Sequence, residues 1–267
     1  NYLSLFYALS VSILFYPTIG TPFAYHHALL FSIISVMILY LIIKFNYKSF
    51  WFCLPISMLV SFLCMQTPSA YINILILSYL VFHFLKKKDF NSYKYFLFGS
   101  LFCLIGLSIY FIITKVSLKS FVYQYILFPL TIGADRITSS DGAYVSLNSK
   151  ITFKSILGHF KFIHFVLLIL IYETIKNFKN NKLKYFSKNL EIFLLVFIST
   201  LIFIFNQLVT ANQIYIFCLI PILAALTNIM LVENKSKNIL IKSIFLVLIV
   251  GISTTKYFER FNIDRKF

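Results

Sequence analysis

Apolar runs of about 15 to 20 residues recur along the chain between short polar clusters, and they show neither strict alternation nor long charged faces. Such a run matches the roughly 20 residues an α-helix needs to cross a bilayer core of about 30 Å. The pattern predicts about nine helices, roughly 2–16, 28–45, 51–66, 71–85, 95–114, 162–175, 191–206, 214–232 and 239–253. A membrane β-barrel would need alternating segments of about 10 residues, which are not present. The expected fold class is therefore all-α: a polytopic transmembrane bundle forming one domain over residues 1–267, with one longer loop over 115–161. Within that loop FVYQYILFPLTIG (121–133) is apolar, too short to span and interrupted by Pro129, and reads as an interfacial or re-entrant helix.

Composition agrees. The chain is 60% hydrophobic, 19% aromatic and 12% charged, more apolar surface than a water-soluble globule of 267 residues can hide. A formal charge of +16 would elsewhere suggest nucleic acid, but no polar stretch is long enough for a soluble binding module. The lysines explain themselves by position. Lys44 and Lys48 share one short loop; Lys86, Lys87, Lys88 and Lys94 share another; Lys176, Lys179, Lys182, Lys184 and Lys188 a third; Lys235 and Lys237 a fourth. The short loops between them, 17–27, 67–70 and 207–213, hold no Lys or Arg. This positive-inside alternation puts the lysine loops in the cytoplasm and the lysine-free loops outside, as in a multi-pass protein of the bacterial inner membrane facing the periplasm. The four cysteines all lie in apolar runs without disulfide or metal-ligand spacing. No metal or other cofactor is indicated.

The lysine loops read as solvated, headgroup-facing connections, whereas the outer clusters are chemically richer. TPFAYHH (21–27), MQTPSAY (65–71), GADRITSSDGAY (133–144), NQLVTANQIY (206–215) and KYFERFNIDRKF (256–267) carry amides, imidazoles and hydroxyls at the membrane boundary, where polar groups are disproportionately functional. His26 and His27 cannot both face one metal, because neighbours on a helix diverge by about 100°; they read either as interfacial residues or with one lining a site. Gln66 closes a helix before Thr67 and Pro68. Asn206, Gln207, Asn212 and Gln213 flank a short turn and exceed what a turn requires. Arg136, beside Asp135, suits a lipid-linked phosphate at headgroup depth. Arg265 belongs to a basic tail with Lys256, Arg260 and Lys266. His83 reads as structural, and His159 and His164 flank a helix start.

The succession TPFAYHHALLFSIISVMILYLI, FCLPISMLVSFLCMQTPSAYINILIL, FPLTIGADRI and FNQLVTANQIYIFCLIPILAAL resembles the middle and C-terminal membrane part of the GT-C fold glycosyltransferases, a superfamily that includes dolichyl-phosphate-mannose protein mannosyltransferases and bacterial relatives. The likeness is diffuse and covers most of the chain. It implies transfer of a sugar from a polyprenyl-phosphate-linked donor to a glycan, lipid or protein acceptor on the outer face, with the lipid bilayer and the donor as partners and no nucleic acid. Ala24-Tyr25-His26-His27 stands where such enzymes often carry an acid, and Met65 where they often carry a lysine. The start at Asn1, the short first apolar run and the stop at Arg265-Lys266-Phe267 read as a longer protein truncated at both ends; the family's main catalytic carboxylate lies in a first outer loop, so the resemblance implies either that this loop precedes residue 1 or that the chain lacks the activity. Asp135 is the candidate catalytic base. Arg136 and Arg265 fall to the donor phosphate, and His26, His27, Gln66, Gln207, Asn212 and Gln213 to sugar or acceptor hydroxyls. The alternative is a transporter or flippase of a lipid-linked glycan, which would place ionisable or helix-breaking residues near the bilayer midplane between repeats.

Overall fold

A computed structural model describes residues 2–16, 23–131, 152–180, 183–209, 216–234 and 236–258, and every regular element among them is helical. Five helices are long and apolar enough to cross a membrane: α2 (Ala24–Phe45), α4 (Gln66–Lys87), α5 (Phe90–Thr114), the Lys188–Val209 part of α9 (Leu183–Val209) and the Ile239–Tyr257 part of α11 (Ile239–Phe258). Three further apolar helices are shorter, α1 (Tyr2–Phe15), α3 (Lys48–Cys64) and α10 (Leu219–Glu233). The remaining helices are α6 (Leu118–Val122), α7 (Phe153–His159) and α8 (Lys161–Asn180).

Most helices run past the apolar stretch that predicts them, because hydropathy marks where lipid would end and not where backbone hydrogen bonding ends. α2 starts at Ala24, which places His26 and His27 in its first turn and not before it. α5 starts at Phe90 because Asp89 caps it, accepting from the Ser92 N–H at 3.2 Å and the Ser92 hydroxyl at 2.6 Å. α2 and α4 end on the left-handed residues Asn46 (φ 55°) and Lys88 (φ 49°), whose N–H groups close on Ile42 O and Phe84 O at 2.9 and 2.8 Å. Pro221, expected in mid-helix, falls in the first turn of α10, where a missing N–H costs nothing. Pro55 is interior to α3.

The chain divides into two compact units. In the unit of residues 24–152, α2 to α5 run up and down through tight turns, and α3 packs against α2, α4 and α5. Serine binds the three inner helices. Ser35 and Ser57 hydroxyls pair at 2.9 Å between α2 and α3; Ser32 donates to Ser69 Oγ at 3.3 Å; Ser69 donates to Ser61 O at 2.8 Å; and Asn73 Nδ2 donates to Met58 O at 3.1 Å. Small hydroxyls at close helix contacts are how packing is secured where lipid removes the hydrophobic drive between helices. Gly99 of α5 faces α3 so closely that a Cβ there would lie 2.3 Å from Phe52 O and 2.7 Å from Pro55 Cγ. Beyond α5, α6 continues through a π-helical turn, Tyr123–Leu127, and a last helical stretch over 128–131. The expected interfacial segment is thus helical as far as it is described.

The other unit comprises residues 1–23 and 153–267. Here α10 is central, packing on α1, α8 and α11. Asn228 of α10 donates to Tyr7 OH of α1 and accepts from Ser243 Oγ of α11 at 2.8 Å, tying three helices at one buried amide. Glu173 of α8, 1% exposed, is ion-paired with Lys242 of α11 and accepts from Ser236 Oγ at 2.8 Å; Lys242 Nζ also donates to Ser236 Oγ at 2.7 Å. Both carboxylate oxygens are occupied, as burial of a charge demands.

Candidate functional site

Of the polar groups anticipated on the outer side, His26, His27 and Gln66 lie at one end of the α2–α5 unit, where α2 begins, α3 gives way to α4 and α6 folds back. Tyr25 and His26 of α2 are buried, and His27 is exposed. The 100° step between neighbours therefore resolves in favour of His26, because the face of α2 that meets α3 and α4 runs through Tyr25, His26, Leu29, Ser32 and Val36. The Tyr25 and Thr67 hydroxyls are 3.1 Å apart. Thr67 is free to turn toward Tyr25 because its backbone is extended (φ −114°, ψ 134°), a break between Gln66 and the continuous part of α4. Pro68 follows it and imposes that conformation.

Gln66 has a partner that the sequence reading did not foresee. Pro129 lacks an N–H, so the Tyr125 carbonyl loses the donor that an α-helix would supply from four residues on. Gln66 Nε2 donates to that carbonyl at 3.1 Å. The Tyr125 hydroxyl in turn donates to Leu63 O, one of the terminal carbonyls of α3 that no helical N–H can reach. Phe121 stacks on the Tyr125 ring at 5.1 Å, and Phe62 meets it edge-on at 6.0 Å. Phe121, Tyr125 and Pro129 are the less exposed residues of this segment, at a spacing of four, while Leu118, Tyr123, Leu127 and Phe128 point outward. The segment is pinned along one edge and presents an apolar back.

Near this end the described side chains include no carboxylate; the one acid in 24–131 is Asp89, at the opposite end. Imidazole, phenol, hydroxyl and amide are neutral donors and acceptors, matched to a hydroxyl-rich ligand and unable by themselves to hold a divalent cation. Among the described residues no group of three or more His, Cys, Asp or Glu side chains converges as a metal site requires.

Gln207 belongs to the other unit. It is fully buried at the end of α9, and its Oε1 accepts the Ile216 N–H at 2.9 Å, so its carbonyl oxygen is already engaged within the protein. Asn206 beside it is also buried. His164 Nε2 lies 3.0 Å from Ile156 O, which ties α7 to α8. Phe217 and Tyr257 stack at 3.7 Å, with His159 near Phe217 and Phe162 edge-on to Tyr257. Asp135, Arg136, Asn212, Gln213 and Arg265 lie outside the described residues.

His26 and Gln66 are legible in the sequence as polar groups of this end, whereas the Tyr25–Thr67 pair and Tyr125, the partner of Gln66, are not. One signal was available: a proline four residues after Tyr125 announces an orphan carbonyl. No protein-family profile, curated protein or solved structure matches the chain closely enough to infer kinship.

Proposed function

We propose that this chain is the membrane part of a GT-C type glycosyltransferase that moves a sugar from a polyprenyl-phosphate-linked donor to an acceptor on the periplasmic side of a bacterial inner membrane. In this reading about nine helices cross the bilayer and the lysine-rich turns face the cytoplasm. One observation supports it: neutral hydrogen-bonding groups, His26 and the Tyr25–Thr67 and Gln66–Tyr125 pairs, lie together at the end of the α2–α5 unit opposite the Lys44–Lys48 and Lys86–Lys94 turns. Such groups suit sugar hydroxyls. His26 lines the sugar position, and Gln66 sets the interfacial segment over it. Arg136 meets the donor phosphate, where a charge-assisted contact stabilises the leaving group. Asp135 is the candidate base for the acceptor hydroxyl.

The test is release of polyprenyl phosphate from a polyprenyl-phosphate hexose by membranes carrying the protein. Arg136→Ala should lower release by about 10²-fold, the usual cost of one transition-state charge contact. His26→Ala should raise the KM for donor or acceptor with the interfacial segment still in place. Movement of the intact lipid-linked sugar across the bilayer without cleavage would replace this reading with the transporter.

A further inference from the structure

We propose that the lysine-bearing end of the α2–α5 unit is one preorganised docking surface for the phosphodiester headgroup of anionic phospholipids. The inference rests on the membrane-spanning character of α2, α4 and α5 and is independent of the transferase reading.

Two separate turns supply the charge. Lys44 and Lys48 flank the α2–α3 turn, and Lys86, Lys87, Lys88 and Lys94 flank the α4–α5 turn. The one carboxylate of residues 24–131, Asp89, is engaged by Ser92. In sequence the two turns are independent. In the structure they are joined through Trp51: its indole N–H donates to Asn46 Oδ1 at 2.9 Å, and its ring packs against His83 of α4 and Tyr93 of α5. Beneath them lies an aromatic floor. Trp51 is 0% exposed and meets His83 at 5.4 Å and Tyr93 at 5.5 Å, while the Tyr93 hydroxyl donates to Leu80 O.

The lysine ammonium groups sit over rings, with Lys44 Nζ 5.5 Å from the Tyr40 and Phe45 centroids, Lys48 Nζ 5.4 Å from Tyr95 and Lys86 Nζ 5.5 Å from Phe82. Cations held over aromatic rings at the ends of apolar helices suit a membrane boundary. Six cations gathered at one end repel one another in water over a Debye length of about 8 Å, and the C-terminal ends of α2 and α4 offset only part of this. An anionic headgroup relieves the rest.

The adjoining surface selects a lipid over a soluble anion. Leu97, Phe98, Leu101 and Phe102, two to three turns into α5 from this end, are all more than half exposed. A phospholipid seated at the rim lays its acyl chains along that face. Inorganic phosphate or an acidic peptide has nothing to place there.

The experiment uses the full chain purified in neutral detergent and titrated with phosphatidylglycerol, phosphatidylcholine or inorganic phosphate, reading Tm and the lipid retained in native mass spectra. Phosphatidylglycerol should raise Tm and remain bound, more weakly as salt rises. Lys86→Gln, Lys87→Gln and Lys88→Gln together should weaken phosphatidylglycerol binding about 100-fold, from about a factor of five per lysine near an anionic surface. Lys115→Gln with Lys119→Gln, away from this end, should leave it unchanged. Asn46→Ala keeps every charge and should still weaken binding several-fold, because the two turns separate. Equal stabilisation by phosphatidylcholine or by inorganic phosphate, or equal effects of the two lysine variants, overturns the proposal. Full binding in Asn46→Ala overturns the single surface.

Discussion

Gly99 shows how much one missing methyl group decides. A Cβ at this position would lie 2.3 Å from a backbone oxygen of α3, which cannot rotate away as a side chain would. At Gly106, in the same helix, a Cβ meets nothing within 4 Å. Gly99→Ala should therefore destabilise by about 1–3 kcal/mol, the cost of overpacking, whereas Gly106→Ala should gain up to about 1 kcal/mol from helix propensity. Reversible unfolding in mixed micelles reads both; shifts of the same sign and size would show that α3 and α5 do not approach so closely. The same scale explains the histidine pair. That two neighbours diverge is legible in any helix, so the sequence excludes a shared metal. Which one turns inward follows from the face of α2 that packs on α4, where Tyr25 meets Thr67 and Ser32 meets Ser69, and serine and threonine carry no pattern that marks them as partners.

At the scale of elements, the long apolar helices were legible because about 20 uninterrupted apolar residues admit few other structures. Their ends were not, since caps lie outside the apolar run. Asp89 is the clearest case. Its carboxyl is held below the ordinary carboxylate value chiefly by the Ser92 hydroxyl, with further help from the Ser92 and Asn91 backbone and Asn46, against a smaller opposing effect of burial. A depressed value in the folded state means that the cap contributes fully above the unfolded-state value near 4 and loses its contribution as pH falls through the lower folded value. Asp89→Ala should cost about 1 kcal/mol at neutral pH. The gap between wild type and variant should close on acidification below about pH 4, measured as Tm against pH; a gap independent of pH would assign the loss to packing. The Glu173–Lys242–Ser236 cluster was legible only in part. Glu173 is the one acid within the apolar run 162–175, but its partners come from the α10–α11 turn and α11, and pairing across helices leaves no spacing to read.

At the scale of the whole molecule, the charge alternation along the chain and the up-and-down path of α2 to α5 agree on one point. The Lys44–Lys48 and Lys86–Lys94 clusters share one end of their unit, while His27 and Gln66 share the other. In a chain whose four native cysteines are replaced, Lys88→Cys and His27→Cys should therefore react with a membrane-impermeant maleimide from opposite sides of the bilayer, His27→Cys from outside. Labelling of both from one side would rule out α2 and α4 as crossings. The division into two units was not legible, because both are built from the same apolar alphabet and one of them joins residues 1–23 to residues 153–267 across the other.

The hydrogen bond from Gln66 to the Tyr125 carbonyl also has an evolutionary reading. The amide at position 66 serves a carbonyl that Pro129, lacking an N–H, cannot serve. In a homologue with any other residue there, an N–H becomes available to that carbonyl and the demand on position 66 is relaxed. Pro129 and Gln66, 63 positions apart in the chain, should be kept or lost as a pair.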